Sequence, residues 1–149
     1  MRTIALLPMK GHSERVPNKN IRLLGSKPLF CHIADSIMAT GLFDCLCINT
    51  DSERIVDIAT KRYSKDRLVI HDRPASLCGD DVPMNEIIAH DLSVLGGNNY
   101  YLQTHSTNPF ISATTLSSAY ELFIQSFRAG YDSLFSVTQY QARFFDSEF

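Results

Sequence analysis

The stretch TIALLPMKGHSERVPNKN, residues 3–20, joins a short apolar run to a loop rich in positive charge. Residues 3–7 are mostly apolar and are followed by Pro8, a pattern typical of a buried strand. The loop then carries Lys10, Arg15 and Lys19 within ten residues. The sequence therefore begins with a predicted buried strand that is followed directly by a cationic loop.

Outward from this stretch, apolar patterns of helix and strand alternate along the chain. Further strands are predicted at 45–49, 68–70, 100–103 and 133–137. Apolar residues at intervals of three and four predict the helices between them, the first of which begins at Pro28 and ends at Gly41. This order predicts an α/β fold, a three-layer α/β/α sandwich with a mostly parallel, Rossmann-like sheet.

The carboxyl ends of the predicted strands indicate where a ligand would bind. In open parallel sheets, ligands lie in the crevice beyond these ends. The loops that follow Leu7, Asn49 and Gln103 are therefore expected to meet at one edge of the sheet.

Composition excludes several classes of partner. The chain has 14 Lys and Arg against 16 Asp and Glu, a formal net charge of −2, so no global attraction to nucleic acid or to an anionic membrane is expected. No apolar run approaches the roughly 18 residues that a membrane span needs, and the apolar start is too short for a signal peptide. We therefore expect a cytoplasmic location.

The four cysteines, Cys31, Cys45, Cys47 and Cys78, form no CxxC pair, and no histidine stands at a usual zinc-site spacing from them. They are predicted to be reduced thiols that pack as small apolar groups. A metal or redox site is the less favoured alternative, and no residue is predicted to bind a metal.

The cationic loop itself has the chemistry that a polyphosphate requires. Lys10, Arg15 and Lys19 supply charge, Ser13 and nearby amides supply donors, and Gly11 permits close backbone approach or a positive φ. The loop contains neither GxxxxGK[ST] nor GxGxxG, and a merely solvated basic loop is the alternative.

Five ordered motifs resemble one family. Residues 6–29, LLPMKGHSERVPNKNIRLLGSKPL, resemble the N-terminal signature of the acylneuraminate cytidylyltransferases, or CMP-sialic acid synthetases, which are related to the CMP-KDO synthetases. The other four motifs are TDSERI at 50–55, RPASLCGD at 73–80, LQ at 102–103 with NPF at 108–110, and YDSLFSV at 131–137. The resemblance implies a nucleotide-diphospho-sugar transferase fold over 1–149, incomplete at the C-terminus.

The resemblance also implies an activity: CTP and an acidic sugar, sialic acid or a related nonulosonate or ulosonate, give CMP-sugar and pyrophosphate. Mg²⁺ would arrive with CTP, and the full-length protein would be a homodimer. A noncatalytic nucleotide-binding module, a truncated inactive fragment and a transferase for another nucleotide are the alternatives. The implied residues are Lys10 and Lys19 as catalytic groups, Gly11, Ser13, Arg15, Asn20 and Arg73 for the nucleotide, and Gln103 and His105 for the sugar.

Departures from the family pattern lie close to these residues. Lys10 stands where the sialic-acid branch has Arg, which keeps the charge but loses bidentate phosphate contact. His12 and Glu14 replace Gly and Lys, and the segment 104–108 is longer than its counterpart. The identity of the sugar therefore stays open. His105 could contact the sugar or act as a base, and a role without ligand contact is the alternative.

Other polar residues have simpler interpretations. Ser52 is predicted as an N-cap, and Asp51 beside it is predicted to have a capping or structural role, with contact to a ligand as the alternative. Asp80 and Asp81 are predicted to form a solvated turn, with metal binding as the less favoured alternative. His32 and His90 lie within predicted helices and are expected to be structural.

Overall fold

The computed structural model describes residues 1–13 and 15–143. Short 3₁₀ turns at Lys19–Ile21, Lys65–Arg67 and Ala75–Leu77 connect some of its elements. The strands and helices are β1 (Thr3–Leu6), β2 (Leu23–Leu24), β3 (Lys27–Pro28), α1 (Leu29–Thr40), β4 (Cys45–Thr50), α2 (Glu53–Arg62), β5 (Leu68–Asp72), α3 (Met84–Leu95), β6 (Tyr100–Gln103) and α4 (Ala113–Arg128).

Four of these strands form a parallel sheet in the order β5-β4-β1-β6, while β2 and β3 form a small antiparallel pair. In the register of the main sheet, Ile4 of β1 lies opposite Cys45 on one side and Tyr101 on the other. The chain moves outward from β1 to β4 and β5, and then crosses back to β6 on the far side of β1. This reversal places the ligand-binding crevice of such a sheet at the carboxyl end of β1. The predicted parallel sheet is confirmed.

Helix α1 has the boundaries that the sequence predicts. Pro28 precedes its first residue, and Gly41 ends it with a φ of 68° and an N–H that donates to the carbonyl of Met38. Its face toward the sheet carries Phe30, Cys31, Ile33, Ala34 and Ile37, all fully buried.

Apolar side chains cover both faces of the sheet, because successive residues of a strand point to opposite sides. Ala5 and Leu7 belong to the larger core, which contains the buried residues of α1 and α2. Ile4 and Leu6 belong to a smaller core with Cys45 and Cys47, and Ile88 and Leu95 of α3 pack against it. Helices on both faces confirm the predicted three-layer arrangement.

The chain divides into two compact units, Met1–Ser117 and Ser118–Phe149. The second unit contains the last part of α4, where the rings of Phe123 and Phe127 lie 6.0 Å apart. Residues 131–143 have no regular secondary structure, so the predicted strand at 133–137 is wrong. A strand needs a neighbour for its backbone hydrogen bonds, and the described residues pair none with this segment.

The longest helix among the described residues, α4, has 16 residues. No helix in that part of the chain is both long and apolar enough to cross a membrane.

Candidate functional site

The cationic loop leaves the sheet along β4. The N–H of Leu7 donates to the carbonyl of Cys47 at 2.8 Å, and the N–H of Met9 donates to that of Asn49 at 2.9 Å. The chain therefore stays extended and buried as far as Met9, and Lys10 is the first residue to emerge at the carboxyl edge of the sheet.

Gly11 fixes the loop against the segment that follows β4. Its N–H donates to Oδ1 of Asp51 at 2.6 Å, and a Cβ at this position would lie only 2.7 Å from the Cβ of Ser52. Gly11 has no positive φ, and the lack of a side chain permits its close approach to Ser52. Its predicted role toward the nucleotide stays a prediction. Asp51 binds the loop, which is a structural role, and does not cap α2. Ser52 occupies the predicted N-cap position of that helix but makes no side-chain cap hydrogen bond.

Asn20 joins the cationic loop to the loop after β6. Its buried side chain donates to the carbonyl of Lys10 at 2.7 Å and accepts a hydrogen bond from Oγ of Ser106 at 2.7 Å. The N–H of Thr104 also donates to the carbonyl of Leu6 at 3.1 Å. The predicted meeting of the loops after β1, β4 and β6 is thereby confirmed.

A fourth loop, the one after β5, also reaches this edge. Lys10 Nζ donates to the carbonyl of Gly79 at 3.0 Å and to Oδ1 of Asp80 at 2.6 Å. The Lys10 side chain is 26% exposed and that of Asp80 is 58% exposed, so the pair lies at the surface and is screened by solvent. The turn at Asp80 was predicted to be merely solvated, and its contact with Lys10 was missed.

The remaining cations of the loop face other surroundings. Arg15 is exposed and Ser13 is half-buried. Lys19 lines a shallow cavity of about 200 Å³, and neither Lys10 nor Arg15 belongs to its lining, which is Val16, Lys19, Arg22, Leu23, Leu24 and Leu29. The convergence of Lys10, Arg15 and Lys19 on one triphosphate stays a prediction.

Arg73 lies just beyond β5 and is buried at the same edge. Its Nε donates to Oδ1 of Asn49 at 2.7 Å, and its Nη2 donates to the backbone carbonyl of Asn49 at 3.1 Å. Burial lowers the pKa of Arg73, and the negative charge of Asp51 opposes that shift. The side chain thus brings a positive charge to the carboxyl ends of β4 and β5, and its predicted contact with the nucleotide stays a prediction.

Behind Arg73 lies a buried polar network that sequence reasoning missed. Oδ1 of Asp91 on α3 accepts hydrogen bonds from Nδ2 of Asn49 at 2.6 Å and from Nδ1 of His71 at 2.7 Å. Asp91 and Asn49 are both fully buried. The signal was present in the sequence, because Asp91 lies between Ile87 and Leu95 at helical spacing, on the face of α3 that packs on the sheet.

The two histidines expected to be structural differ in their surroundings. His32 Nε2 lies 2.9 Å from the carbonyl of Leu24, a contact that fits the prediction. His90 Nδ1 is buried without a hydrogen-bond partner in the described part of the chain.

The residues predicted to contact the sugar are neighbours at the end of β6. Nε2 of Gln103 lies 3.1 Å from Nε2 of His105. Gln103 is half-buried, whereas His105 is exposed. Their role toward a sugar stays a prediction.

The two carboxylates described above at this edge each bind a protein group. Mg²⁺ takes oxygen ligands, and the candidates here are Asp51, which accepts from Gly11, and Asp80, which pairs with Lys10. The one group of three possible metal-binding side chains found among residues 1–13 and 15–143 contains a thiol and an imidazole instead.

The model of a family described as cytidylyltransferase matches residues 4–148. The chain belongs to this cytidylyltransferase family. The resemblance inferred from the five sequence motifs is therefore confirmed at the level of the family.

Individual members differ in the sugar that their names contain. The pseudaminic acid cytidylyltransferase of Campylobacter jejuni is 28% identical over 130 residues, which are 85% of this chain and 55% of that protein. The N-acylneuraminate cytidylyltransferase of Escherichia coli is 31% identical over 125 residues, which are 83% of this chain and 29% of that protein. The chain thus spans about half or less of the length of these relatives.

Solved structures of low sequence identity share the fold. CMP:2-keto-3-deoxy-manno-octonic acid synthetase, solved in complex with CTP, has a TM-score of 0.67 at 12% identity, over 84% of this chain and 48% of that one. A 4-diphosphocytidyl-2C-methyl-D-erythritol synthase has a TM-score of 0.60 at 14% identity, over 81% of this chain and 53% of that one. These similarities confirm the Rossmann-like nucleotidyltransferase fold.

Proposed function

We propose that the full-length protein transfers CMP from CTP to the anomeric hydroxyl of an acidic sugar, a nonulosonate or ulosonate, and releases pyrophosphate. One observation carries the proposal beyond family membership. The cationic loop is held at the switch point of the sheet by Gly11 on one side and Asn20 on the other. A loop fixed in this way presents backbone donors and lysines where a nucleotide binds in this type of sheet.

The chemistry requires positioning and charge neutralisation more than covalent help. The anomeric oxygen attacks the α-phosphorus, and the bond between the α-phosphorus and the oxygen that bridges it to the β-phosphate breaks. Pyrophosphate leaves with that oxygen, and the hydroxyl proton passes to a base or to solvent. Lys10 and Lys19 would neutralise the charge that develops on the α-phosphate and on the departing pyrophosphate. Since Lys10 is paired with Asp80, the triphosphate would exchange that surface ion pair for its own.

The other predicted residues complete the proposed site. Ser13 and Arg15 would support the triphosphate, and Arg73 would contact the nucleoside from its anchored position over Asn49. Gln103 and His105 would face the sugar, with His105 as a contact or as the base. Mg²⁺ delivered with CTP, a homodimer of the full-length protein and a cytoplasmic location belong to the same proposal.

Product analysis tests the reaction. The full-length protein is incubated with CTP and a panel of 3-deoxy ulosonic acids, and mass spectrometry identifies the CMP-sugar while pyrophosphate is measured. Binding of CTP without any product would leave only a noncatalytic nucleotide-binding module. Stronger thermal stabilisation by UTP or ATP than by CTP would indicate a different nucleotide.

Two matched pairs of variants test the residues. Lys19→Ala is expected to reduce turnover by about 10²–10³-fold, as loss of a charge-stabilising group does, whereas Lys65→Ala, before β5 at the opposite edge, should have no effect.

Arg73→Ala should mainly weaken CTP binding. Its control is Arg67→Ala, because Arg67 also binds a backbone carbonyl, that of Phe43, but precedes β5.

A further inference from the structure

Three side chains of types that can bind a metal meet on the face of the sheet covered by α3. Cys47 lies on β4, His71 lies on the neighbouring strand β5, and Asp91 reaches them from α3. Their ligand atoms all lie within 4.8 Å of one another, and all three residues are buried. The sequence predicts packed thiols because no histidine stands at a short zinc-site spacing from a cysteine. Cys47 and His71 are 24 positions apart, and His71 and Asp91 are 20 positions apart.

The distances suit a small tetrahedral ion. Zn²⁺ binds sulfur at about 2.3 Å and imidazole nitrogen at about 2.0–2.1 Å, which at a tetrahedral angle puts the two ligand atoms about 3.5 Å apart. Sγ of Cys47 and Nδ1 of His71 are 3.5 Å apart. Oδ1 of Asp91 is 2.7 Å from the same nitrogen, a hydrogen-bond distance, and this leaves Oδ2 as the oxygen free for an ion.

Two atoms are buried here without a hydrogen-bond partner among the described residues: Oδ2 of Asp91, within the cluster, and Nδ1 of the adjacent His90. Asp91 is fully buried, and an unpartnered carboxylate oxygen in such a place is costly and calls for an explanation. His90 Nδ1 lies 3.9 Å from Oδ1 of Asp91, and the rings of His71 and His90 are 6.2 Å apart and nearly perpendicular. Both imidazoles therefore lie beside the same carboxylate.

We propose that Cys47, His71 and Asp91, with His90 as the fourth ligand, form a binding site for a divalent cation of the zinc type. One thiolate, two imidazoles and one carboxylate are ligands that Zn²⁺ accepts, whereas Mg²⁺ and Ca²⁺ prefer oxygen alone. The site is therefore chemically distinct from any magnesium that accompanies CTP.

Binding follows a balanced proton exchange. The ion displaces the thiol proton of Cys47, which passes to solvent, and the ring proton of His71 moves from Nδ1 to Nε2, so that the neutral imidazole binds the ion through Nδ1. Burial, and next the charge of Asp91, raises the pKa of the Cys47 thiol, so an ion in contact with the sulfur is what makes the thiolate stable there. Oδ1 of Asp91 remains available to Asn49.

Cobalt provides the direct test, because Co²⁺ replaces Zn²⁺ and a thiolate ligand adds a charge-transfer absorption band. The metal-free chain is titrated with Co²⁺ under reducing conditions. We expect one equivalent of Co²⁺ to bind and to produce that band. Addition of Zn²⁺, but not of Mg²⁺, should abolish the band. Absence of cobalt uptake by the folded chain would overturn the proposal and leave the cluster as a hydrogen-bond network.

Cys47→Ser should lose the band, whereas Cys45→Ser should keep it. Cys45 is the matched control because it is buried in the same small core, two positions earlier on β4, with its sulfur near Arg2. Equal loss in both variants would assign the band to nonspecific thiol binding and contradict the proposed ligand set.

His90→Gln keeps the test decisive if Cys47→Ser does not fold. The His90 side chain is 26% exposed, so this replacement disturbs packing less. We expect Zn²⁺ affinity, measured by calorimetry, to fall about tenfold or more. An unchanged affinity with the circular dichroism of a folded protein would exclude His90 as the fourth ligand.

Discussion

Two carboxylates of this protein, Asp35 on α1 and Asp91 on α3, differ in burial and in the number of their hydrogen-bond partners. Asp35 is 27% exposed and accepts hydrogen bonds from Arg62, from Tyr63 and from Lys27. Asp91 is fully buried, and only one of its oxygens has hydrogen-bond partners among residues 1–13 and 15–143. The first carboxylate is satisfied within the fold, whereas the second retains unused binding capacity in the interior. The comparison shows that the number of partners does not follow burial: the partly exposed carboxylate has more hydrogen bonds than the fully buried one.

The largest effect is expected from Asp91→Ala. The variant leaves the amide of Asn49 and the imidazole of His71 without their buried acceptor, at a cost of about 3–5 kcal/mol in the free energy of unfolding. Urea denaturation measures it, with Asp91→Asn as the control that keeps an acceptor oxygen. A loss below about 1 kcal/mol for Asp91→Ala would remove the contrast with Asp35.

Asp35→Ala is expected to cost less, about 1–2 kcal/mol, although it removes more hydrogen bonds. Arg62 and Lys27 are 41% and 30% exposed, so both regain water when their acceptor is lost. The same denaturation experiment measures this loss, and Lys61→Ala serves as a control because it breaks only an exposed ion pair with Asp57. A cost equal to that of Asp91→Ala would show that burial does not rank the two carboxylates.

The pH dependence of stability sharpens the comparison. Burial alone would raise the pKa of Asp35, but hydrogen bonds from Arg62, Lys27 and Tyr63 lower it from 3.8 to about 2. Because the folded pKa lies below the unfolded one, this stabilisation is present above about pH 4 and is lost as the pH falls toward 2. A shift of this size corresponds to about 2.5 kcal/mol, which screening reduces to about 1–2 kcal/mol.

Asp35→Asn provides the matching measurement. Its unfolding free energy, compared with wild type between pH 5 and 2, should converge on the wild-type value as the pH falls. A difference that stays constant over this range would mean that Asp35 is not the group responsible.

Tyr63→Phe should have the smallest effect, about 0.5–1 kcal/mol. The change removes one neutral donor, the hydroxyl 2.9 Å from Oδ1 of Asp35, and leaves Arg62 and Lys27 in place. Thermal unfolding measures the shift. An effect as large as that of Asp35→Ala would indicate that the tyrosine, rather than the two cations, holds the carboxylate.

The sequence predicts most of the fold because its elements have local signals. Helix α1 follows directly from its apolar spacing between Pro28 and Gly41, and the strands of the main sheet follow from short apolar runs. The segment 133–137 has the same local pattern but no hydrogen-bonding neighbour among the described residues. Local composition cannot reveal whether such a neighbour exists, which is why this strand was predicted wrongly.

The candidate site could be predicted only in part. The loops after β1, β4 and β6 were placed correctly, because the carboxyl ends of parallel strands share one edge. The sequence did not predict the contact of Lys10 with Asp80 or the network around Asp91, because each joins residues from different elements of the fold. In α3, Leu92 fits the apolar spacing but is exposed, and the neighbouring Asp91 is buried instead. A polar residue on an apolar helix face was the signal that was overlooked.

The hydrogen bond between Asn20 and Ser106 connects positions 86 residues apart, and this has a consequence for the order of events at the ribosome. At synthesis rates of about 5–20 residues per second, about 4–17 s pass between the synthesis of Asn20 and that of its partner Ser106. During that interval the loop is open to proteases, and limited proteolysis of stalled nascent chains should show cleavage within it until Ser106 has emerged from the exit tunnel.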